Sequence, residues 1–173
     1  MRAMEFYRAV TMDASDLYGR LLDTLEREHI AYCLVGGQGV NAYVTPLISL
    51  DLDFVIATND LDRALQVLGS EFTITRFPNT INLASAGSEI RAQIQIDPRY
   101  AQFVERAQRR DVFGRSVSVA AIEDLLQGKI WAASDRDRRP SKKQKDLADI
   151  ARIIETYSAL RNKVPGEILA RLE

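Results

Sequence analysis

The 173-residue chain is short of three things: it has one cysteine, one histidine and a formal net charge of only −1. A lone Cys33 excludes an intramolecular disulfide and a cysteine-built metal centre. Within Tyr32-Cys33-Leu34-Val35 it reads as a small core residue. A lone His29 excludes a histidine metal cluster. It also leaves a Ser-His-Asp triad dependent on a residue among charges at an expected helix end, where a surface residue or helix C-terminal cation is the simpler reading. Without a charge imbalance, any anionic partner must be drawn by a local cluster. No apolar run has the length or flanks of a membrane span or signal peptide, so no membrane partner and a cytoplasmic location are expected. Repeats and low-complexity segments are absent as well.

The 46% hydrophobic and 27% charged content is ordinary for a globular protein, so the length implies one domain, or a domain with a helical extension. Leu17, Leu21, Leu22 and Leu25 recur at helical spacing, predicting a first helix over about 12–28. Residues 31–35 read as a buried strand, broken by Gly36-Gly37 and followed by a short helix over 38–43. Residues 49–56 alternate as a strand does, and Asp60 is placed to cap a helix running to about Gly69. Strand-like runs follow near 72–76, 80–85 and 90–97, with Pro78-Asn79 turning between the first two. After a short segment at 100–107, Val112-Phe113 and Ser116–Val119 flank Gly114-Arg115 as a hairpin. Helices are expected over 121–133, 142–158 and after Pro165. This order predicts an α+β or α/β chain with a mixed sheet, a core over 1–119 and a helical extension over 120–173 packed upon it.

Asp51 and Asp53 stand two residues apart in the clearest strand, so their side chains share one face while Leu50, Leu52 and Phe54 take the other. Alternate residues lie about 6.6 Å apart along a strand. Two carboxylates at that spacing can converge on one hard cation, or on a pair of them about 3.5–4 Å apart. Oxygen ligands of this kind suit Mg²⁺ or Mn²⁺. Taken alone, Asp-x-Asp fits a solvent-facing edge strand equally well. The Gly36-Gly37 break adds weight, because a strand ending in glycines and opening a helix exposes backbone N–H groups where phosphate binds, although a plain tight turn has the same pattern.

The run Leu34-Val35-Gly36-Gly37-Gln38-Gly39-Val40-Asn41-Ala42-Tyr43, followed by Ser49-Leu50-Asp51-Leu52-Asp53-Phe54, resembles the signature of the DNA polymerase β-like nucleotidyltransferases. The resemblance implies a nucleotidyltransferase-like fold. It also implies that Gly36, Gly37, Gln38 and Ser49 bind the nucleotide, that Asp51 and Asp53 bind metal, and that a further strand supplies a third metal carboxylate. Farther on, Ala121-Ile122-Glu123-Asp124-Leu125-Leu126 through Lys129, then Lys145-Asp146-Leu147-Ala148-Asp149-Ile150, resembles the nucleotidyltransferase toxins of type IV toxin–antitoxin (abortive-infection) systems. There a lysine on one helix and an aspartate opening the next complete the site, here Lys129 and Asp146. The chain departs from that pattern at Leu47 and Lys145, where arginine is usual, and at Ser49, where threonine is usual.

The residues support part of this independently. Lys129 falls on the stripe formed by Ile122, Leu125, Leu126, Ile130 and Ala133, where an ammonium needs a carboxylate or phosphate partner unless its head reaches water. Ser141-Lys142-Lys143-Gln144 reads as a capping box, setting Asp146 in the second turn on the face of Ile150, Ile153 and Tyr157. Asp149 could pair with a neighbouring arginine. Arg136, Arg138, Arg139, Lys142, Lys143 and Lys145 crowd a helix N-terminus, where cations oppose the macrodipole. An anionic partner would explain them, and so would a solvated loop offset by Asp135 and Asp137. Asp97, ending Ile94-Gln95-Ile96, is the candidate third metal carboxylate, with Glu89 and Asp111 as weaker alternatives.

The expected activity is a Mg²⁺- or Mn²⁺-dependent transfer of a nucleoside monophosphate from a nucleoside triphosphate to a hydroxyl. Asp51, Asp53, Lys129 and Asp146 would be catalytic. RNA or a protein hydroxyl is the toxin-like acceptor, with a cognate antitoxin as a further partner. A small antibiotic acceptor, or a non-catalytic module that binds nucleotide or a partner protein, are the alternatives.

Overall fold

The computed structural model describes residues 3–172; Met1, Arg2 and Glu173, counted above with the core and the helical extension, lie outside the described residues. The strands are β1 (Tyr32–Val35), β2 (Asp51–Ile56), β3 (Thr73–Arg76), β4 (Thr80–Ala84), β5 (Arg91–Gln95), β6 (Gln108–Val112) and β7 (Arg115–Val119). The helices are α1 (Ala3–Thr11), α2 (Leu17–Arg27), α3 (Gly36–Asn41), α4 (Leu61–Leu68), α5 (Ile122–Ser134), α6 (Pro140–Thr156) and α7 (Gly166–Leu169). The strands form one seven-stranded mixed sheet in the order β3-β4-β5-β2-β1-β7-β6. Strand β2 pairs antiparallel with β1 and parallel with β5, and β1 pairs parallel with β7. The expected α+β class with a mixed sheet and flanking helices is the observed one.

Alternation in β2 divides its side chains between two environments. Leu52 and Phe54 are fully buried with Leu21, Leu22 and Leu25 of α2 and Ala64, Leu65 and Leu68 of α4, whereas Asp51 and Asp53 remain partly accessible on the other face. Helix α3 packs on β1 and β2 and in turn meets α5 and α6, so three helices surround the acid pair. Cys33 is fully buried, as its neighbours predict, and burial pushes its thiol up to about 12. His29 is exposed just past the end of α2.

Several local expectations are corrected. The helix expected over 12–28 starts later than predicted, at Leu17, and a separate helix α1 precedes it. Met12 and Asp16 have positive φ, and the Asp13 carboxylate accepts from the N–H groups of Leu17 (2.8 Å) and Tyr18 (3.3 Å), so a polar break supplies the helix start. Asp60 does not cap α4. Its carboxylate accepts from the Ala31 N–H at 2.8 Å and pairs with Arg63, tying α4 to the start of β1. The hairpin turn is Phe113-Gly114, both at positive φ, with Val112 paired to Arg115, so Arg115 belongs to β7. No capping box forms at Ser141, because α6 already begins at Pro140, whose missing N–H suits the first helical position. The segment after β5 is a 3-10 helix over Pro98–Phe103.

Candidate active site

Strand β1 ends where Gly36 turns the chain into α3. Gly36 has φ +64°, and a Cβ there would collide with Asp53 Oδ2, so only glycine allows the turn to lie against the acid. Gln38 is buried, and its amide donates to the Ser49 carbonyl at 2.9 Å. Asn41 clasps Leu47 from both sides, donating to its carbonyl (2.7 Å) and accepting from its N–H (3.0 Å). The loop that leads into Asp51 is therefore fixed by two side chains of α3. Gln38 acts as a brace for this loop and does not line the cleft beside it.

That cleft, about 400 Å³, is lined by Gly36, Gly37, Ser49, Asp51, Asp53, Lys129 and Asp146. Residues from α3, β2, α5 and α6, some more than 100 positions apart in sequence, thus meet in one place. Asp51 Oδ2 accepts from Lys142 Nζ at 2.7 Å, and its Oδ1 is 2.8 Å from Arg91 Nε. Burial alone would raise the Asp51 carboxyl, but Lys142, with Arg91 and Lys145, outweighs that and holds it below the ordinary aspartate value. Asp53 differs. Burial pushes its carboxyl up to about 6, the charge of Asp51 adds to the rise, and Lys129, Lys142 and Arg138 only partly oppose it.

Lys129 is nearly buried, with its ammonium 3.0 Å from Asp146 Oδ1 and 2.7 Å from Asp149 Oδ2. Burial works against its charge, yet Asp149 and Asp146 more than offset this and hold its pKa above the ordinary lysine value. Asp146 is also held by Arg138, and Asp149 by Arg152 at 2.6 Å. Arg152 continues to Asn41 Oδ1 (2.7 Å) and the Thr45 carbonyl (2.6 Å), so Lys129 is joined through Asp149 and Arg152 to the loop that precedes the acids.

The basic segment divides into two groups. Arg138, Arg139, Lys142 and Lys145 line the cleft, whereas Arg136 and Lys143 stay outside its lining, with Lys143 donating to the Arg136 carbonyl. Asp97 is not brought to the cleft lining. It lies two residues past β5, accepts from the Arg99 N–H at the start of the 3-10 helix, and pairs with the Arg99 guanidinium at 2.7 Å, which holds its carboxyl below the ordinary value. Glu89 and Asp111 also stay outside the cleft. Arg91 and Gln93 were not recognised from sequence, since only the parallel register of β2 and β5, which sets Asp51 beside Arg91 and Asp53 beside Gln93, makes them neighbours of the acids. Asp149 carried a usable signal in its i+3 spacing from Asp146.

Among the described residues no group of three His, Cys, Asp or Glu side chains is arranged to hold a metal ion. The two-carboxylate edge nevertheless fits a hard divalent cation that completes its shell with phosphate oxygens and water. Asp53 is the fitting observation: its carboxyl lines the cleft, no cation among the described residues pairs with it directly, and burial raises its pKa. No helix among the described residues is long and apolar enough to cross a membrane.

No protein-family model matches the chain, and no curated protein matches it in sequence. Solved structures do match. One is ANT(2'')-Ia in complex with adenylyl-2''-tobramycin, at 10% identity and TM-score 0.66 over 91% of this chain and 97% of that one. The lincosamide antibiotic adenylyltransferase LnuA, lincomycin-bound, is 15% identical with TM-score 0.58 over 83% of this chain and 99% of its own. An antigenic nucleotidyltransferase-like protein from Paracoccidioides brasiliensis is 20% identical with TM-score 0.54 over 84% and 78%. At these identities the likeness is one of fold: the acid pair, the glycine turn and the buried lysine are carried on a nucleotidyltransferase-like fold.

Proposed function

We propose that the chain is a divalent-metal-dependent nucleotidyltransferase that moves a nucleoside monophosphate from a nucleoside triphosphate to a hydroxyl. What carries this reading is the convergence of Asp51, Asp53, the Gly36-Gly37 turn, Lys129 and Asp146 on one cleft. The acceptor oxygen bonds to the α-phosphorus, the bond to the bridging oxygen of the β-phosphate breaks, and pyrophosphate leaves. Asp51 and Asp53 would hold Mg²⁺ or Mn²⁺, which when bound neutralises phosphate charge and aligns the reacting oxygens. The acid pair also orients the acceptor hydroxyl and takes up its proton. The Gly36-Gly37 backbone and Ser49 seat the phosphates, and Lys129, kept charged by its two carboxylates, faces the charge that develops there. Asp146 positions Lys129.

Four cations of the 138–145 segment in the cleft favour an anionic acceptor, in line with the resemblance to toxins that modify RNA or protein. A cognate antitoxin would be the partner of such an enzyme. A small antibiotic acceptor is the second reading, favoured by the fold shared with ANT(2'')-Ia and LnuA. The decisive experiment incubates the protein with Mg²⁺, each α-labelled nucleoside triphosphate, and total RNA, protein extract or aminoglycoside. A variant with Asp51 and Asp53 changed to Ala runs alongside. Label transfer lost in the variant supports the proposal. Absence of transfer to every acceptor, with no metal-dependent triphosphate binding, rejects it in favour of a non-catalytic module.

A further inference from the structure

The two walls of the cleft differ in chemistry. On the wall formed by α6 and the segment just before it stand Arg138, Arg139, Lys142 and Lys145. The other wall is the sheet itself, beyond the acid pair. Strand β5 runs parallel to β2 with Asp53 beside Gln93, and β4 continues the register, Asn82 beside Gln93 and Thr80 beside Gln95. Strand alternation puts all of these on the face of Asp51 and Asp53, while Ile81, Leu83, Ala92 and Ile94 are buried on the opposite one. Thr80, Gln93 and Gln95 line the same cleft as the acids. Apart from Arg91 at its edge this wall is uncharged, and it carries no carboxylate.

We infer that this uncharged face of β5 and β4, centred on Gln93, is the acceptor wall and selects an acceptor whose reacting end is neutral and rich in hydroxyl groups. The inference rests on the transferase reading above and adds the acceptor's chemical class. An amide both donates and accepts, as a hydroxyl does, so a row of carboxamides and a threonine matches a polyhydroxyl group. A phosphate only accepts, and belongs on the cationic wall. A polycation would meet Arg91 and Lys142, while the cleft's carboxylates beyond the acid pair, Asp124, Asp146 and Asp149, are already paired with Arg106, Lys129, Arg138 and Arg152, and such like-charge contact is strongly selective. The Gln95 oxygen already accepts from the Asp97 N–H at 3.0 Å, which leaves its NH₂ for a ligand and fixes its direction.

The test compares label transfer from α-labelled triphosphates to maltose and to tRNA, whose reacting ends are neutral sugars, with transfer to tobramycin, a polycation. Wild-type protein is expected to label a neutral sugar and to leave tobramycin unlabelled; the tRNA and maltose arms tell a nucleic-acid end from a free saccharide. Gln93→Ala should raise the acceptor KM about five- to tenfold, as loss of one to two hydrogen bonds does, with kcat and triphosphate Kd little changed. Gln93→Glu with Gln95→Glu should shift the tobramycin-to-sugar ratio by at least about tenfold towards tobramycin. Preferred labelling of tobramycin by the wild type, or an unchanged acceptor KM in Gln93→Ala, overturns the inference. Magnesium-dependent binding of a non-hydrolysable triphosphate separates the two levels: if it persists while both sugars stay unlabelled, the acceptor assignment alone falls, and if it too is missing, the transferase reading falls with it.

Discussion

Gly36 and Asp53 touch so closely that a β-carbon on the glycine would collide with a carboxylate oxygen of the acid. The contact couples the end of β1 to the face of β2 that bears the acid pair. It also gives Gly36 a double requirement, a φ of +64° and an absent side chain. Gly36→Ala is expected to lower stability by about 1–3 kcal/mol from the left-handed backbone alone. It should also turn Asp53 away, so that Mg²⁺ no longer raises the melting temperature. Retained Mg²⁺ stabilisation in the folded variant, read by thermal shift, would contradict this role for the contact.

Removing the buried cation should be costly. Lys129→Met leaves Asp146 and Asp149 facing each other across a nearly dry space, with Arg138 and Arg152 as their remaining partners. A loss of about 3–5 kcal/mol is expected in urea unfolding, as for other broken buried pairs. Adding Asp149→Asn should recover part of it, giving a coupling of about 1–3 kcal/mol in the double-mutant cycle. Strictly additive losses would show that Lys129 and Asp149 do not act together.

The two acids should behave oppositely with pH. Burial raises the Asp53 carboxyl to about 6, above its unfolded value of 3.8, so its contribution to stability is fully present below about pH 4 and is lost as pH rises through 6. Asp53→Asn should therefore stabilise the metal-free protein by about 1–3 kcal/mol at pH 8, with the gain vanishing near pH 4. Asp51 is held low by Lys142 and Arg91, so its contribution is present at neutral pH and lost on acidification. Chemical denaturation of Asp53→Asn and Asp51→Asn across about pH 2–8 checks the pair of signs.

Lys142 competes with a metal for Asp51. In the triphosphate-free protein, Lys142→Gln frees one carboxylate oxygen and should tighten Mg²⁺ binding about two- to fivefold, the equivalent of a partly exposed ion pair. The gain should shrink as ionic strength rises. Calorimetric titration at two salt concentrations reads both effects.

Much of the local structure was legible because it follows from short-range physics. The alternation of Leu52 and Phe54 with Asp51 and Asp53, the glycine break after β1 and the stripe that includes Lys129 are periodic signals, and each sits where it was expected. The departures lie where a side chain had another partner within reach. Asp60 is a good helix cap by type, but the Ala31 N–H lies within its reach across the fold. Asp97 has strand parity with Gln93 and Gln95, but Arg99, two residues on, claims its carboxylate.

The sequence by itself determined which strand carries the acids, which glycine turn ends the strand before them and which helix bears the buried lysine, because these depend on alternation, glycine and helical period. Only the tertiary structure decided what surrounds them. The parallel register of β2 with β5 sets Arg91 and Gln93 beside the acids, and the packing of α6 on α5 and α3 makes Asp149 and Arg152 the link between Lys129 and the loop before Asp51. Those neighbours come from chain segments tens of residues apart. Apart from the Asp149–Arg152 pair within α6, their meeting is fixed by burial of the whole core and leaves no trace in any local pattern.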